Sequence, residues 1–271
     1  PIYTPGKLTL AKAFTQQSYM WQFPAAYGLW SPANITTALW LDAEDASTVT
    51  LDSGAVSQWR DKSGNSRNAT QSTATNRPLY TAAAQNSLSA LSFDGSNDTL
   101  ELASTSLFTS GNADIAVFAA YKATDTSYGA LLANYSTGAF AIYFGNVVPY
   151  LEPWGAYNGA NVDVDSGTYA LNKNYLISLI RSSGSFTGWT DGSQKNTVAN
   201  SNSVGGATAW RIGSNTANGE VAGMDLYEII CINSAPSGPV REKLEGYLAH
   251  KWGLAANLPS DHPYKTVGPT P

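Results

Sequence analysis

The sequence predicts an all-β domain, a sandwich or a barrel, with one helix near its C-terminus. Three observations predict it. Short apolar segments recur from Leu39 onward, and clusters of Gly, Asn, Asp and Ser separate them at strand-like spacings. Asp191-Gly192, directly after the run FTGWT, reads as a hairpin turn, because both residues tolerate positive φ. One stretch, SAPSGPVREKLEGYLAHKWGL, carries an apolar period of the helical kind.

Taken in order, residues 1–35 stand apart. They hold Tyr3, Phe14, Tyr19, Trp21, Phe23, Tyr27 and Trp30, and Pro5, Pro24 and Pro32 interrupt regular structure. An extended arm is expected there. Its aromatics would be a liability in water, so they pack on another protein or on the domain, where extra strands are the plainer reading. The domain proper takes residues 36–271. Strands are expected at Leu88–Phe93, Thr99–Leu102, Ile115–Tyr121, Ala130–Asn134, Phe140–Phe144, Tyr175–Arg181, Ser185–Thr190, Trp210–Ile212 and Leu226–Ile232. The helix is expected at about 237–252, with Ser237 at its cap, Pro239 in its first turn and Gly253 at its stop. Val240, Leu244, Tyr247, Leu248 and Trp252 form its apolar stripe, which leaves Arg241, Glu242, Lys243, Glu245 and Lys251 for the wet face.

Composition narrows the function. Charged residues are 13% of the 271, about half the usual ~25%. The formal net charge is −5 and no basic cluster is present, so nucleic acid is not an expected partner. No run of about 18 apolar residues exists, so no membrane insertion by a helix is expected. The start, PIYTPGKLTL, lacks the charged-then-apolar order of a signal peptide. Cys231 is the single cysteine and sits in an apolar run, where it reads as a buried small hydrophobe.

Two blocks carry a resemblance. The first runs ALWLDAEDASTVTLDSGAVSQWRDKSGNSRNATQ, then RPLY, then ALSFDGSNDTLEL; the second is DLYEIICINSAPSGPVREKLEGYLAHKWGL with LPSDHPY after it. Together they resemble the laminin-G-like, concanavalin A-like jelly-roll domains, in particular those of bacteriophage structural proteins of tail or capsid-decorating type, over about Ala38 to Tyr264. The resemblance implies two antiparallel sheets packed face to face. Members mostly bind glycans or proteins, some bind calcium, and enzymes of this topology exist. Fold alone does not decide among these.

In ALSFDGSNDTLEL, Asp94-Gly95 is a turn dipeptide and Asn97 and Asp98 can bond its backbone, so this acidic loop reads as architecture. In WRDKSGNSRNAT, Trp59 plugs the edge of the core while Arg60 and Lys62 are solvated. EPWGAYNGAN sets Trp154 and Tyr157 among Gly, Asn and Pro. Aromatic faces stack on sugar C–H faces while amides and carboxylates bond hydroxyls, so Trp154, Tyr157, Asn158, Asn161 and Asp163 form the candidate sugar-binding rim. NVDVDSG is not an EF-hand, since Ser166 holds the Gly position and Asn172 the place of the bidentate Glu. On a strand its alternation puts three oxygens on one face, either a solvated edge or a calcium site with Asp163 and Asp165 as ligands. No other cofactor is expected.

For catalysis, glycanases of this topology carry paired carboxylates on one strand, about 5 Å apart for retention. The nearest string here, Asp225-Leu226-Tyr227-Glu228, has a spacing that puts its two acids on opposite strand faces. The two histidines, His250 and His262, make no triad with Ser and Asp. With no catalytic pattern found, the resemblance implies a non-enzymatic virion surface protein, made in a bacterial host's cytoplasm. It would bind host-surface glycans or decorate the particle, and would dock to other virion proteins, adjacent copies included, through residues 1–35. A secreted, extracellular bacterial carbohydrate-binding module is the alternative, and a glycan-cleaving enzyme the third reading.

Overall fold

Whether a strand alternates or runs continuously apolar depends on whether one face or both are covered, and this chain uses both kinds. A computed structural model describes residues 30–103, 107–109, 111–125, 129–134, 140–144, 150–151, 162–163, 170–200, 204, 209–215 and 220–271. The early strands are β1 (Leu39–Asp42), β2 (Val49–Asp52), β3 (Ala55–Trp59), β4 (Ala69–Thr70), β5 (Leu79–Gln85), β6 (Leu88–Asp94) and β7 (Leu100–Leu102). Next come β8 (Ile115–Ala123), β9 (Gly129–Asn134), β10 (Phe140–Phe144), β11 (Tyr150–Leu151) and β12 (Val162–Asp163). The last are β13 (Asn174–Ser182), β14 (Ser185–Thr190), β15 (Ser193–Ala199), β16 (Arg211–Ile212) and β17 (Gly223–Ile232), before helix α1 (Gly238–Lys251).

The pairing is antiparallel throughout the described strands and forms one long ladder, β10-β9-β16-β7-β4-β3-β5-β6-β17-β8-β13-β14-β15, with β1 added on β17 and β2 on β3, beside a separate two-stranded pair β11-β12. Only the pair Ala55–Leu79 joins β3 to β5. The ladder turns back there, which makes two layers. Phe140 of β10 and Phe186 of β14 lie far apart along it, yet their rings are 6.0 Å apart. Trp59, Trp210, Leu132, Ile142, Val117, Ile177 and Leu226 share the core between the layers. This is the jelly-roll sandwich.

Strands β8 and β17 are buried on both faces, which is why IAVFAAY and IICI run without charged interruption. Ile115, Val117, Ala119 and Tyr121 face the inner core, whereas Ala116, Phe118 and Ala120 lie under α1. The helix contributes Leu244, Tyr247, Leu248 and Ala249 to this second core, and Trp252 follows directly after. Trp30 packs edge-on against Tyr247 at 6.3 Å, so the chain just before β1 also lies on the helix side. Ser237 takes the N-cap position without a side-chain bond, and Gly253 leaves the helix at φ +70. The Asp191-Gly192 turn has φ of 50 and 76, as its dipeptide demands.

Three expectations are corrected. Glu245 and Lys251 are not on the wet face of α1: they are 0% and 2% exposed. Glu245 accepts bonds from Ser178 Oγ at 2.9 Å and Arg241 Nη1 at 2.6 Å, and lies 3.3 Å from His262 Nε2. Lys62 is not simply solvated: its Nζ reaches Asp42 at 2.8 Å and Asp45 at 2.9 Å across the ring of Trp40. Finally, Asp225 and Glu228 share a face. A bulge at Tyr227 breaks strict alternation, and Tyr227 and Glu228 both turn toward the helix.

The loop after β6 is a turn, as expected. Gly95 has φ +75, Asp94 Oδ1 accepts from Ser96 N at 2.8 Å and Asn97 N at 3.2 Å, and Asp98 Oδ2 accepts from Asp94 N at 2.9 Å. A Cβ at position 95 would meet Asp125 Oδ2 at 2.6 Å, so the glycine also permits a close approach.

Candidate functional site

The outer face of the layer opposite the helix carries a polar groove of about 550 Å³. Pleating builds its floor. Trp59, Ala69 and Leu102 form a cross-strand row that points into the core, so the neighbouring row points out. That outer row is Gln58, Thr70, Glu101 and Arg211, one residue from each of β3, β4, β7 and β16. Ser57 joins the lining because a bulge in the β2–β3 pairing leaves it as an extra residue.

The rim is held by Arg77. Its Nε donates to Gln71 O at 2.8 Å, its Nη2 to Ser72 O at 3.1 Å and its Nη1 to Asp52 at 2.6 Å. Gln71 Nε2 in turn donates to Thr99 O at 2.9 Å, and Thr99 N to Asn76 O at 3.0 Å. Gln71, Ser72, Asn76 and Arg77 are thus tied to one another and to the sheet rather than left as a free loop. Arg211 Nη2 lies 3.2 Å from Glu101, but its Nε is buried with no hydrogen-bond partner among the described residues. An unsatisfied buried donor is costly and marks where a ligand or water would be held. Among the described residues the lining has two arginines, one glutamate and otherwise hydroxyls and amides, with no aromatic ring. Such a surface can form many hydrogen bonds but offers little apolar contact. It suits a hydroxyl-rich, well-hydrated ligand bound weakly and partly through water.

The residues singled out from sequence lie elsewhere. Trp154, Tyr157, Asn158, Asn161 and Asp165 fall outside the described residues, and Asp163 is described only as backbone, opposite Tyr150 in the β11–β12 pair. Among the described residues no three His, Cys, Asp or Glu side chains come together as a metal-binding group. Sequence reasoning missed the groove because three of its strands, β4, β7 and β16, are two or three residues long, too short for period-two alternation to show. The available signal was weak: an outward Glu101 between Leu100 and Leu102, and Arg211 between Trp210 and Ile212.

A second cluster lies beneath the helix. Asp42 and Glu228, opposite each other in the β1–β17 pair, both contact Lys251 Nζ, at 2.6 and 2.7 Å. Glu228 also accepts from Trp40 Nε1 at 2.7 Å, Tyr247 Oη at 3.0 Å and Trp252 Nε1 at 2.9 Å. Burial pushes the Asp42 carboxyl up, but the Lys251 and Lys62 ammoniums together hold it below its ordinary value. For Glu228 burial wins and the carboxyl lies above its ordinary value despite Lys251. The two carboxyls are 5% and 0% exposed, so no external substrate reaches them.

The sequence matches no family model and no curated protein. Solved structures do match in fold. The binding domain of Paraclostridial Mosquitocidal Protein 1 superposes with a TM-score of 0.61 at 11% identity, over 80% of this chain and 55% of that one. Domain 4 of AbnA, a GH43 extracellular arabinanase from Geobacillus stearothermophilus solved with arabinotriose, gives 0.52 at 12% identity, over 74% of this chain and 94% of that one. A GH54 α-L-arabinofuranosidase gives 0.52 at 15% identity, over 73% and 51%. The chain thus spans about half the length of the first and third of these. At such identities the likeness establishes the sandwich fold and nothing finer.

Proposed function

We propose that this chain is a glycan-binding sandwich domain that holds its ligand in the polar groove of β3, β4, β7 and β16. The observation that supports it most is the groove itself, an open concavity lined by polar side chains, with Arg211 among them. Two structural neighbours support the ligand class. The AbnA domain was solved with an oligosaccharide, and the mosquitocidal neighbour is a binding domain. A glycan array on the full chain, followed by titration of each hit, tests the proposal. Binding in the micromolar-to-millimolar range is expected, weakened about tenfold or more by Arg211→Ala or Thr70→Ala. Failure to bind any glycan refutes the proposal. Loss on Trp154→Ala or Tyr157→Ala, with the groove variants unaffected, moves the site to the rim read from sequence.

Within this reading the domain is displayed on a virion, with residues 1–35 as the segment that docks to other virion proteins. The sequence resemblance and the aromatic content of that segment support it. Particles assembled with a chain lacking residues 1–35 should then omit the protein. Calcium at Asp163 and Asp165 belongs to the same proposal, and chelation should weaken glycan binding if the ion shapes the rim.

A further inference from the structure

The cluster of Lys251, Asp42 and Glu228 has the geometry of a condensation site. Nζ of Lys251 is 2.6 Å from Asp42 Oδ1 and 2.7 Å from Glu228 Oε2, in contact with both at once. The lysine is 2% exposed. Aromatic rings enclose it: Nζ lies 5.5 Å from the Tyr247 ring centroid and 5.1 Å from that of Trp252, which stacks on Tyr227 at 5.0 Å. A hydrogen-bonded Nζ–Oδ1 contact sets the amine within near-attack reach of the carboxyl carbon. The surroundings exclude the water that would reverse an amide bond.

We propose that Lys251 and Asp42 join in an intramolecular amide bond, with Glu228 as its catalytic residue. The atoms balance as follows. The Lys251 ammonium passes one proton to the Asp42 carboxylate across their contact, leaving a neutral amine beside a carboxylic acid. The amine lone pair attacks Cγ of Asp42 and forms the C–N bond. The carboxyl oxygen that takes up the negative charge is Oδ2, which already faces the Lys62 ammonium at 2.8 Å. Glu228 takes a proton from the nitrogen and returns it to the departing hydroxyl, which leaves as water. An ammonium and a carboxylate become a neutral amide and one water, with no oxidant or co-reactant. Glu228 ends as it began, held by Trp40, Tyr247 and Trp252.

Three physical features favour this use over a plain ion pair. Two carboxylates directly opposite in a strand pair repel, and burying an ion pair carries a large desolvation cost. Amide formation removes one charge of each sign from the dry site. The placement also has a mechanical consequence. Asp42 lies at the end of β1 and Lys251 at the end of α1, far apart in the chain though in contact in space. The bond would close residues 42–251 into a covalent loop, so tension between the two ends of the chain would pass through the bond and bypass β2 to α1; Leu39–Leu41 of β1 lie outside the loop.

Intact mass of the purified full chain in denaturant decides the matter without any variant. A mass below the sequence mass by one water is expected, and protease digestion should give a branched peptide joining the segment with Asp42 to the one with Lys251. Lys251→Arg and Glu228→Gln should each restore the sequence mass and migrate more slowly on a denaturing gel. A wild-type mass equal to the sequence mass overturns the proposal and leaves an ion cluster only. So does a lost water that maps to an Asp–Gly pair such as Asp94-Gly95 or Asp191-Gly192, where succinimide formation gives the same mass.

Discussion

Glu245→Gln and Glu245→Ala should destabilise the domain by clearly different amounts. Glu245 is fully buried, with Arg241 Nη1 and His262 Nε2 on Oε2 and Ser178 Oγ on Oε1. A glutamine keeps the shape. It can turn its oxygen to Arg241 and its NH2 to Ser178, whose hydroxyl can rotate to accept. Only the charge assistance is then lost, about 1–2 kcal/mol by the difference between charged and neutral hydrogen bonds. Alanine removes every acceptor, leaves Arg241 facing a buried gap and should cost roughly 3–5 kcal/mol. Against a total stability of roughly 5–15 kcal/mol, both are readable as shifts in the urea midpoint followed by tryptophan fluorescence. A third variant sharpens the test: with Ser178→Ala in place, the glutamine NH2 has no acceptor, so Glu245→Gln should become more costly than in the wild type. Equal losses for glutamine and alanine, or an alanine loss below about 1 kcal/mol, would mean that this carboxylate is hydrated and that the helix face is misassigned.

Two further predictions concern the turns. Burial pushes the Asp98 carboxyl up to about 6, and the charge of Asp94 adds to the shift. The folded protein therefore holds a proton there that the unfolded chain, titrating near 3.8, releases first. The resulting stability is full below that value and lost as pH rises through about 6. Asp98→Asn should remove this slope, so the variant gains on the wild type from pH 4 to pH 7; parallel stability curves would refute it. Gly213 has φ +88, and a Cβ there would collide with the Phe93 ring. An unstrained Gly→Ala change stabilises slightly, whereas Gly213→Ala should destabilise by more than ~1 kcal/mol, and a neutral thermal melt would count against the packing described.

Local chemistry made much of the fold legible. Phe140–Phe144 and Ser185–Thr190 were readable to the residue, because their ends are marked by turn formers and their lengths suit a strand. The helix stripe was readable for Leu244, Tyr247 and Leu248, which do face the core. Two of the helix's polar positions, Glu245 and Lys251, were not. Periodicity assigns Glu245 and Lys251 to water on residue type alone, and nothing nearby in the chain signals that Ser178, Asp42 or Glu228 waits for them. The acids of β17 failed for a related reason: the bulge at Tyr227 follows from pairing with β8, and a strand read by itself has none.

By itself the sequence determined the all-β class, the turn positions and the closing helix, since each depends on residues within a few positions of one another. Tertiary structure alone decided the groove, whose floor takes one residue from each of four short strands, and the Asp42–Glu228–Lys251 cluster, whose members come from opposite ends of the domain. Side chains that meet across a hundred or more residues are brought together by how the sheets close, and closure is a property of the whole chain rather than of any segment.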